Sequence, residues 1–254
     1  MTAATTTNGA MRIRYAVSGA GDPLVLLHGF TDGLESWEEL GYAGPLLAAG
    51  RRLILIDARG HGGSSRPRDP AAYAPGERAR DVAAVLDALS IARADLLGYS
   101  MGGWIALDFA RLFPARVGRL AVGGVHPFGQ SMAGYRRAVA ADIRDWIGVL
   151  EGLGGGNLPE ALRTRILAND LAALQAAVAE DRPDISAELA AFDRPCLFWA
   201  GAEDPLRDEV ARCAAFLPRA SFAEIPGCNH LTALTEAELV LPHLLPFLGS
   251  ARWS

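Results

Sequence analysis

The chain has 254 residues, half of them hydrophobic, which is long enough for one large α/β domain with an inserted subdomain. Its formal net charge of −5 and its lack of a basic run argue against nucleic acid as a partner. The three widely spaced cysteines give neither a disulfide framework nor a metal-ligand pattern. No stretch is apolar for long enough to span a membrane, and the first residues do not resemble a signal peptide. We therefore expect a cytoplasmic protein without a membrane partner.

Strand-like and helix-like segments alternate in the first half of the chain, which predicts a mostly parallel sheet covered by helices. Residues 11–18 alternate between apolar and polar and predict an edge strand. The continuous apolar runs at 24–27 and 53–56 are typical of central strands that are buried on both faces. Further along, the pattern predicts a helix at 77–89, a strand at 95–99, a helix at 103–113 and a strand at 117–125.

This alternation stops after residue 125, because no apolar strand-like run occurs before about residue 191. That segment predicts helices at 135–150, 160–167 and 171–179, with a glycine-rich break at 152–156. The alternation then resumes with a strand at 196–200, a helix at 209–217, a strand at 221–225 and a helix at 235–247. The sequence therefore predicts a core formed by residues 1–125 and 192–254, with residues 126–191 inserted as a small helical lid.

A G-x-S-x-G motif at 98–102 ends an apolar run and leads directly into a helical pattern. A serine hydroxyl becomes a useful nucleophile only with a base, an exposed position and donors for the oxyanion. A sharp strand-to-helix turn exposes the serine, and the flanking glycines let the backbone form that turn. The context therefore predicts Ser100 as a nucleophile that attacks a carbonyl group.

A histidine must supply the base, and the chain has five candidates: His28, His61, His126, His230 and His243. His230 follows a predicted strand and precedes the last helix, on a loop at the carboxyl end of the sheet, where α/β sites assemble. His243 lies within that last helix and is expected on the surface. His61 lies in a tight loop, where local hydrogen bonding is its expected role. We therefore predict His230 as the base.

An acid must orient this histidine, and two neighbouring carboxylates, Glu203 and Asp204, directly follow the strand predicted at 196–200. A carboxylate there would lie at the same edge of the sheet as Ser100. It would fix the tautomer of His230 and stabilise the imidazolium that forms during attack. Spacing alone does not separate the two carboxylates. The chain order of serine, acid and histidine is the one expected for this architecture.

The oxyanion needs two backbone N–H groups, which we predict from Met101, after the nucleophile, and from Phe30, in the loop after an early strand. Candidate pocket residues lie beside these motifs or in the lid: His28, Tyr99, Trp104, His126 and Trp146. No motif predicts a metal site or a cofactor. The expected partner is a small molecule.

These segments together resemble the α/β-hydrolase superfamily over nearly the whole chain. The matching segments are 28–30, 57–64, 98–103, 201–204 and 229–230. The resemblance implies an α/β-hydrolase fold, with a mostly parallel sheet, flanking helices and a small helical lid. The family pattern G-x-x-D selects Asp204 over Glu203, and the implied catalytic triad is Ser100, Asp204 and His230.

Within this superfamily, the serine at the nucleophile elbow disfavours relatives that use an aspartate, such as haloalkane dehalogenases and epoxide hydrolases. Carboxylesterases and enol-lactonases fit the motifs, so the resemblance implies cleavage of a carboxylic ester or lactone. The menaquinone-pathway synthase that eliminates pyruvate has a similar loop and elbow, but it has an arginine for its anionic substrate where this chain has Trp104. The alternatives are a lyase or C–C bond hydrolase that uses Ser100 or His230 as a base, and a non-catalytic ligand-binding relative.

Overall fold

The computed structural model describes residues 2–249, which form one eight-stranded sheet with helices on both faces. The strands are β1 (Thr2–Asn8), β2 (Met11–Ser18), β3 (Asp22–Leu27), β4 (Arg51–Ile56), β5 (Ala94–Tyr99), β6 (Val117–Gly123), β7 (Cys196–Gly201) and β8 (Ala220–Ile225). Their order in the sheet is β1-β2-β4-β3-β5-β6-β7-β8. β1 and β2 are antiparallel to their neighbours, and all the pairs from β4 to β8 are parallel.

Twelve α-helices occur among the described residues. They are α1 (Ser36–Glu39), α2 (Ala43–Ala48), α3 (Glu77–Ala88), α4 (Met101–Leu112), α5 (Ala133–Ala138), α6 (Ile143–Gly154), α7 (Glu160–Leu167), α8 (Leu171–Ala177), α9 (Ser186–Leu189), α10 (Arg207–Phe216), α11 (Thr232–Thr235) and α12 (Ala237–Leu248). Within residues 2–249, no helix combines the length and the apolar character needed to cross a membrane.

Strand β3 illustrates how the sequence forms the two faces of the sheet. Leu24 and Leu26 belong to the hydrophobic core on one face, and Val25 and Leu27 belong to the core on the other; all four are buried. Helices α3, α4 and α10 cover one face, and α1, α2, α11 and α12 cover the other. A strand with helices on both faces has no polar side, which explains its continuous apolar run.

Helices α5 to α9 lie between β6 and β7 in the chain and belong to the helical lid. Helices α5 to α8 share a small hydrophobic core that includes Val139, Trp146 and Leu174, whereas α9 packs in the core of the main domain. Phe30 and Leu231, from two loops of the main domain, pack against this lid core. The lid is therefore attached to the main domain through apolar contacts at these loops. The division at residues 126 and 191 stays a prediction.

The predicted fold class is confirmed, and several element predictions are corrected. The segment 11–18 is a strand, but it is not the edge: β2 pairs with β4 on one side and with β1 on the other. The threonine-rich β1 has no alternating apolar pattern, so the sequence did not predict it. The helix predicted at 135–150 is divided into α5 and α6, whereas the helix predicted at 235–247 corresponds to α12, with the short α11 before it. Helices α1, α2 and α9 are too short to give a helical period.

Candidate active site

Ser100 lies at the turn from β5 into α4, with φ 52° and ψ −110°. This backbone conformation is strained for a residue other than glycine, and such strain is concentrated at functional sites. Close packing forms the turn: a Cβ atom at Gly102 would lie 1.9 Å from the carbonyl oxygen of Leu27, and one at Gly98 would lie 2.4 Å from that of Gly102. The two glycines therefore allow α4 to begin directly against the ends of β3 and β5.

Ser100, His230 and Asp204 form a chain of hydrogen bonds. His230 Nε2 lies 3.1 Å from Ser100 Oγ, and His230 Nδ1 lies 2.8 Å from Asp204 Oδ2. The Asp204 carboxylate is fully buried, and its Oδ1 accepts a hydrogen bond from the N–H of Leu206 at 2.9 Å. The neighbouring Glu203 is exposed and takes no part in these hydrogen bonds. A buried carboxylate in this position orients the imidazole so that Nε2 can accept the serine proton.

Two backbone N–H groups near Ser100 have no hydrogen-bond acceptor among residues 2–249. Met101 is the first residue of α4, so its N–H has no partner within the helix. The N–H of Phe30 donates to no described residue. Free N–H groups of this kind can stabilise negative charge on an oxygen.

His28 holds the peptide that carries the Phe30 N–H. The N–H of Ala58 donates to His28 Nε2 at 3.1 Å, so the ring proton of His28 lies on Nδ1 and is donated to the Gly29 carbonyl at 2.8 Å. The N–H of Asp32 also donates to this carbonyl, at 3.3 Å. Because the peptide is planar and trans, fixing the Gly29 carbonyl fixes the Phe30 N–H in the opposite direction.

A cavity of about 1250 Å³, here called the larger cavity, opens beside this hydrogen-bonded chain. Its wall includes Ser100, Asp204 and His230 together with apolar side chains from the lid and the main domain, among them Phe30, Trp146, Leu150, Leu153, Leu162 and Leu231. The Phe30 and Trp146 rings meet edge to face, with centroids 5.4 Å apart. A mostly apolar wall with a few polar groups at one point is typical of a small-molecule site.

A second cavity of about 340 Å³, here called the smaller cavity, adjoins the first, and Phe30 and Tyr135 line both. Arg78 and Arg182 line the smaller cavity, and neither forms an ion pair with any residue in the range 2–249. Arg182 donates to Gln130 Oε1 at 2.9 Å, and Gln130 lines the larger cavity. One hydrogen bond therefore connects this arginine to the wall of the larger cavity.

The smaller cavity holds two guanidinium groups that form no direct ion pair with a carboxylate of residues 2–249. Burial lowers the pKa of Arg78 to about 10, with repulsion from Arg182 as a further cause, and burial also lowers the pKa of Arg182. Both groups remain charged at neutral pH. The carboxylates of Asp108 and Asp181, in the same cavity, pair with other arginines, and Glu180 is exposed. The arrangement can therefore bind a carboxylate or another small anion.

Three of the five predicted pocket residues line a cavity. Tyr99 and Trp146 line the larger cavity, and Trp104 lines the smaller one. The Tyr99 hydroxyl donates to the backbone carbonyl of His230 at 2.6 Å, so it also supports the loop that carries the imidazole. Burial raises the pKa of Tyr99 well above its ordinary value, so it acts as a hydrogen-bond donor at neutral pH.

The other two predicted pocket residues, His28 and His126, line neither cavity, which corrects their assignment to the pocket. His28 is 1% exposed, and its ring is hydrogen-bonded to the carbonyl of Gly29 and to the N–H of Ala58. His126 is also buried, and its ring stacks on Phe128 at 5.5 Å. Of the remaining histidines, His61 is fully buried and His243 is exposed.

No motif in the sequence marks Arg78 or Arg182. The first lies in α3 and the second in the lid, and they come together only because the lid packs over this end of the main domain. Within residues 2–249, no group of three or more His, Cys, Asp or Glu side chains is arranged to hold a metal ion.

Comparison with known proteins identifies the family. A family model described as the alpha/beta hydrolase fold matches residues 22–142. The 2-hydroxy-6-oxononadienedioate/2-hydroxy-6-oxononatrienedioate hydrolase of Paraburkholderia phymatum is 32% identical, over 94% of this chain and 91% of that protein. This chain belongs to the α/β-hydrolase family. The resemblance inferred from the motifs is therefore confirmed.

Two further proteins that are similar to this α/β-hydrolase bear the names of different enzyme classes. A Bacillus subtilis protein, provisionally named 2-succinyl-6-hydroxy-2,4-cyclohexadiene-1-carboxylate synthase, is 27% identical over 94% of this chain and 96% of its own length. A thermophilic esterase from Thermogutta terrifontis, solved with malate bound, superposes with a TM-score of 0.81 at 25% identity, covering 98% of both chains. This α/β-hydrolase is thus similar to a C–C bond hydrolase, a synthase and an esterase.

Proposed function

We propose that this α/β-hydrolase cleaves a carboxylic ester or a lactone through an acyl-enzyme on Ser100. The observation that carries the proposal is the hydrogen-bonded chain from Asp204 through His230 to Ser100, at the wall of the larger cavity. The free N–H groups of Met101 and Phe30 support it, because attack on a carbonyl creates an oxyanion that needs such donors.

In the first half of the reaction, Ser100 Oγ bonds to the substrate carbonyl carbon as His230 Nε2 takes the hydroxyl proton. The carbonyl oxygen becomes negative and accepts hydrogen bonds from the N–H groups of Met101 and Phe30. Asp204 accepts a hydrogen bond from the Nδ1–H of the imidazolium and so stabilises its positive charge, while the proton stays on the ring. The tetrahedral intermediate then collapses, the bond to the leaving oxygen breaks, and His230 gives that oxygen its proton.

In the second half, His230 takes a proton from a water molecule as the water oxygen attacks the acyl carbon. The same two N–H groups hold the second oxyanion. The bond to Ser100 Oγ then breaks, and His230 returns the proton to the serine. The products are the acid and the alcohol, or the hydroxy acid when the substrate is a lactone.

A fluorophosphonate probe tests this proposal, because it forms a covalent bond only with an activated serine. We expect an adduct on Ser100, together with hydrolysis of short nitrophenyl esters. Ser100→Ala should lose the adduct and several orders of magnitude in turnover. Ser221→Ala, at an exposed serine of β8, is the matched control and should keep both. Full ester hydrolysis by Ser100→Ala would exclude the mechanism.

The arginines of the smaller cavity favour a second candidate function, the hydrolysis of a C–C bond beside a ketone in a substrate that carries a carboxylate. Arg78 and Arg182 would bind that carboxylate while the ketone carbon faces Ser100. His230 would then protonate the carbon leaving group instead of an alcohol oxygen. The dioate in the name of the relative from Paraburkholderia phymatum has carboxylates of this kind.

A matched pair of substrates distinguishes the two candidates. A 2-hydroxy-6-oxodienoic acid is assayed beside a nitrophenyl ester of similar size, and loss of the dienoate absorbance reports C–C cleavage. Faster turnover of the dienoic acid would favour the C–C hydrolase. Turnover of the ester alone would favour the esterase.

A further inference from the structure

Thr31 has a backbone conformation that its side chain disfavours. Its φ is 65°, in the left-handed region, and it is a β-branched residue that is 1% exposed. Such a residue is a genuine outlier in this region and persists only when its surroundings determine it. Thr31 directly follows Phe30, whose N–H is a proposed oxyanion donor. The groups that hold Thr31 therefore also act on the oxyanion loop, defined here as residues 29–32.

The helical lid supplies two of the groups that hold Thr31. Trp146, in α6, donates from Nε1 to the Thr31 hydroxyl at 2.8 Å, and that hydroxyl donates to the Phe30 carbonyl at 2.6 Å. Asn169, which follows α7, donates from Nδ2 to the Thr31 carbonyl at 2.9 Å. The hydroxyl therefore connects the Trp146 indole to the backbone of Phe30 through two consecutive hydrogen bonds.

The lid also holds the next residue of the oxyanion loop. Arg165, in α7, forms an ion pair with Asp32 at 2.8 Å and a bidentate pair with Glu39 at 2.7 and 2.9 Å. Asp32 in turn donates its backbone N–H to the Gly29 carbonyl. Lid contacts therefore reach both peptide groups that flank Phe30.

We propose that these lid contacts position the oxyanion loop, so that Trp146 and Thr31 are positioning residues for turnover in addition to their place at the cavity. The proposal rests on the proposed function, because the Phe30 N–H matters only if an oxyanion forms. Without the lid contacts, Thr31 relaxes toward negative φ, and the direction of the Phe30 N–H is held only through the Gly29 carbonyl, by His28 and the N–H of Asp32. Complete removal of an oxyanion donor costs roughly 100- to 1000-fold in kcat, so we expect a misdirected donor to cost about tenfold.

Trp146→Phe tests this directly, because it keeps an aromatic ring in the lid core and removes the N–H that Thr31 accepts. Thr31→Val removes the hydroxyl and keeps the shape, and Thr31→Ser restores the hydroxyl. We expect Trp146→Phe and Thr31→Val each to lower kcat for a neutral nitrophenyl ester about tenfold, with KM changed less than twofold. Thr31→Ser should stay near wild type.

The double variant Trp146→Phe/Thr31→Val separates positioning from a general loss of structure. Both substitutions break the same hydrogen-bond relay, so their effects should not add. Binding of a boronic acid, which forms a tetrahedral anion on the serine, should weaken in proportion to kcat/KM. The matched control is Gln175→Met, which removes a side-chain amide bonded to the Val139 and Ala140 carbonyls inside the lid. It should leave kcat unchanged.

Wild-type kcat in both single variants, or additive losses in the double variant, would overturn the lid proposal while the acyl-enzyme mechanism stands. If the fluorophosphonate fails to label Ser100 in the wild-type protein, the proposed function fails first and the lid proposal fails with it. Labelling of the wild type, followed by slower labelling of Trp146→Phe and Thr31→Val, supports both.

Discussion

The guanidinium of Arg182 lies 5.4 Å from the centroid of the Trp104 ring. On sequence alone, Trp104 disfavoured a synthase-like reaction, because the menaquinone-pathway synthase has at this position an arginine that binds its anionic substrate. The fold brings an arginine from the lid to this tryptophan instead, and the aromatic face attracts its positive charge. Trp104 therefore does not exclude anionic substrates.

Arg182→Gln is expected to change substrate preference. A charge-assisted hydrogen bond contributes roughly 1.5–3 kcal/mol, so kcat/KM for a substrate with a free carboxylate should fall about 10- to 100-fold. The methyl ester of the same substrate should react at a rate within twofold of wild type. Steady-state kinetics on this pair measure the effect, and Arg78→Gln should behave in the same way.

The control for these variants is Arg80→Gln, because Arg80 lies on the same helix as Arg78 but is exposed and paired with Glu77. It should not distinguish the acid from the ester. Equal losses on the two substrates in Arg182→Gln would show that the arginine supports the structure and does not bind the carboxylate.

Arg78→Met is expected to raise the free energy of unfolding at pH 7. The pKa of Arg78 is lowered to about 10 in the folded protein, mainly by burial, so the folded state holds this proton less tightly than the unfolded state does. The charge therefore costs stability at every pH below about 10, and this cost is relieved as the pH rises above 10 toward the ordinary pKa of arginine. Replacing a buried charge by an apolar side chain should stabilise the protein by about 1 kcal/mol.

Urea unfolding at pH 7 measures this gain, with Arg80→Met as the exposed reference. If the charge of Arg78 serves to bind substrate at a cost in stability, Arg78→Met should be more stable than the wild type and less selective for substrates with a free carboxylate. If Arg78→Met were less stable than Arg80→Met, the charge would be adequately solvated where it lies, and the binding role would lose its support.

Motifs at strand ends explain why Ser100, Asp204 and His230 could be proposed from the sequence. Each follows a strand of the parallel part of the sheet, and the carboxyl ends of parallel strands meet at one edge of the sheet. Thr31 and Arg182 could not be identified in this way, because their roles depend on how the lid packs on the main domain. No local pattern encodes that packing. The threonine-rich strand β1 was not predicted either, because an exposed edge strand needs no apolar face and therefore shows no apolar pattern.

Gly102→Ala is expected to destabilise the protein by about 3 kcal/mol or more and to abolish activity, because the new Cβ would overlap the Leu27 carbonyl oxygen. Gly148→Ala, in α6, is the matched control, since nothing lies within 4 Å of its Cβ. It should leave stability unchanged or raise it by up to about 1 kcal/mol through better helix propensity. Thermal unfolding distinguishes the two, and a Gly102→Ala protein as stable as Gly148→Ala would contradict the packing described at the turn.

Asp204→Asn is expected to lower kcat by roughly 10⁴-fold while the protein stays folded, because an amide no longer fixes the productive tautomer of His230. Glu203→Gln changes the adjacent exposed carboxylate in the same manner and should have little effect. Nitrophenyl ester kinetics on both variants decide which carboxylate serves His230. Comparable losses of kcat in the two variants would mean that the loss follows from the change in net charge and not from a specific contact with His230.

An acyl-enzyme on Ser100 can be measured directly by rapid quenching of the wild-type protein with a nitrophenyl ester, followed by mass spectrometry of the intact chain and its peptides. We expect a burst of nitrophenol stoichiometric with protein and one acyl group on the peptide that contains Ser100. Steady turnover with no burst and no acylated peptide, persisting in Ser100→Ala, would contradict it.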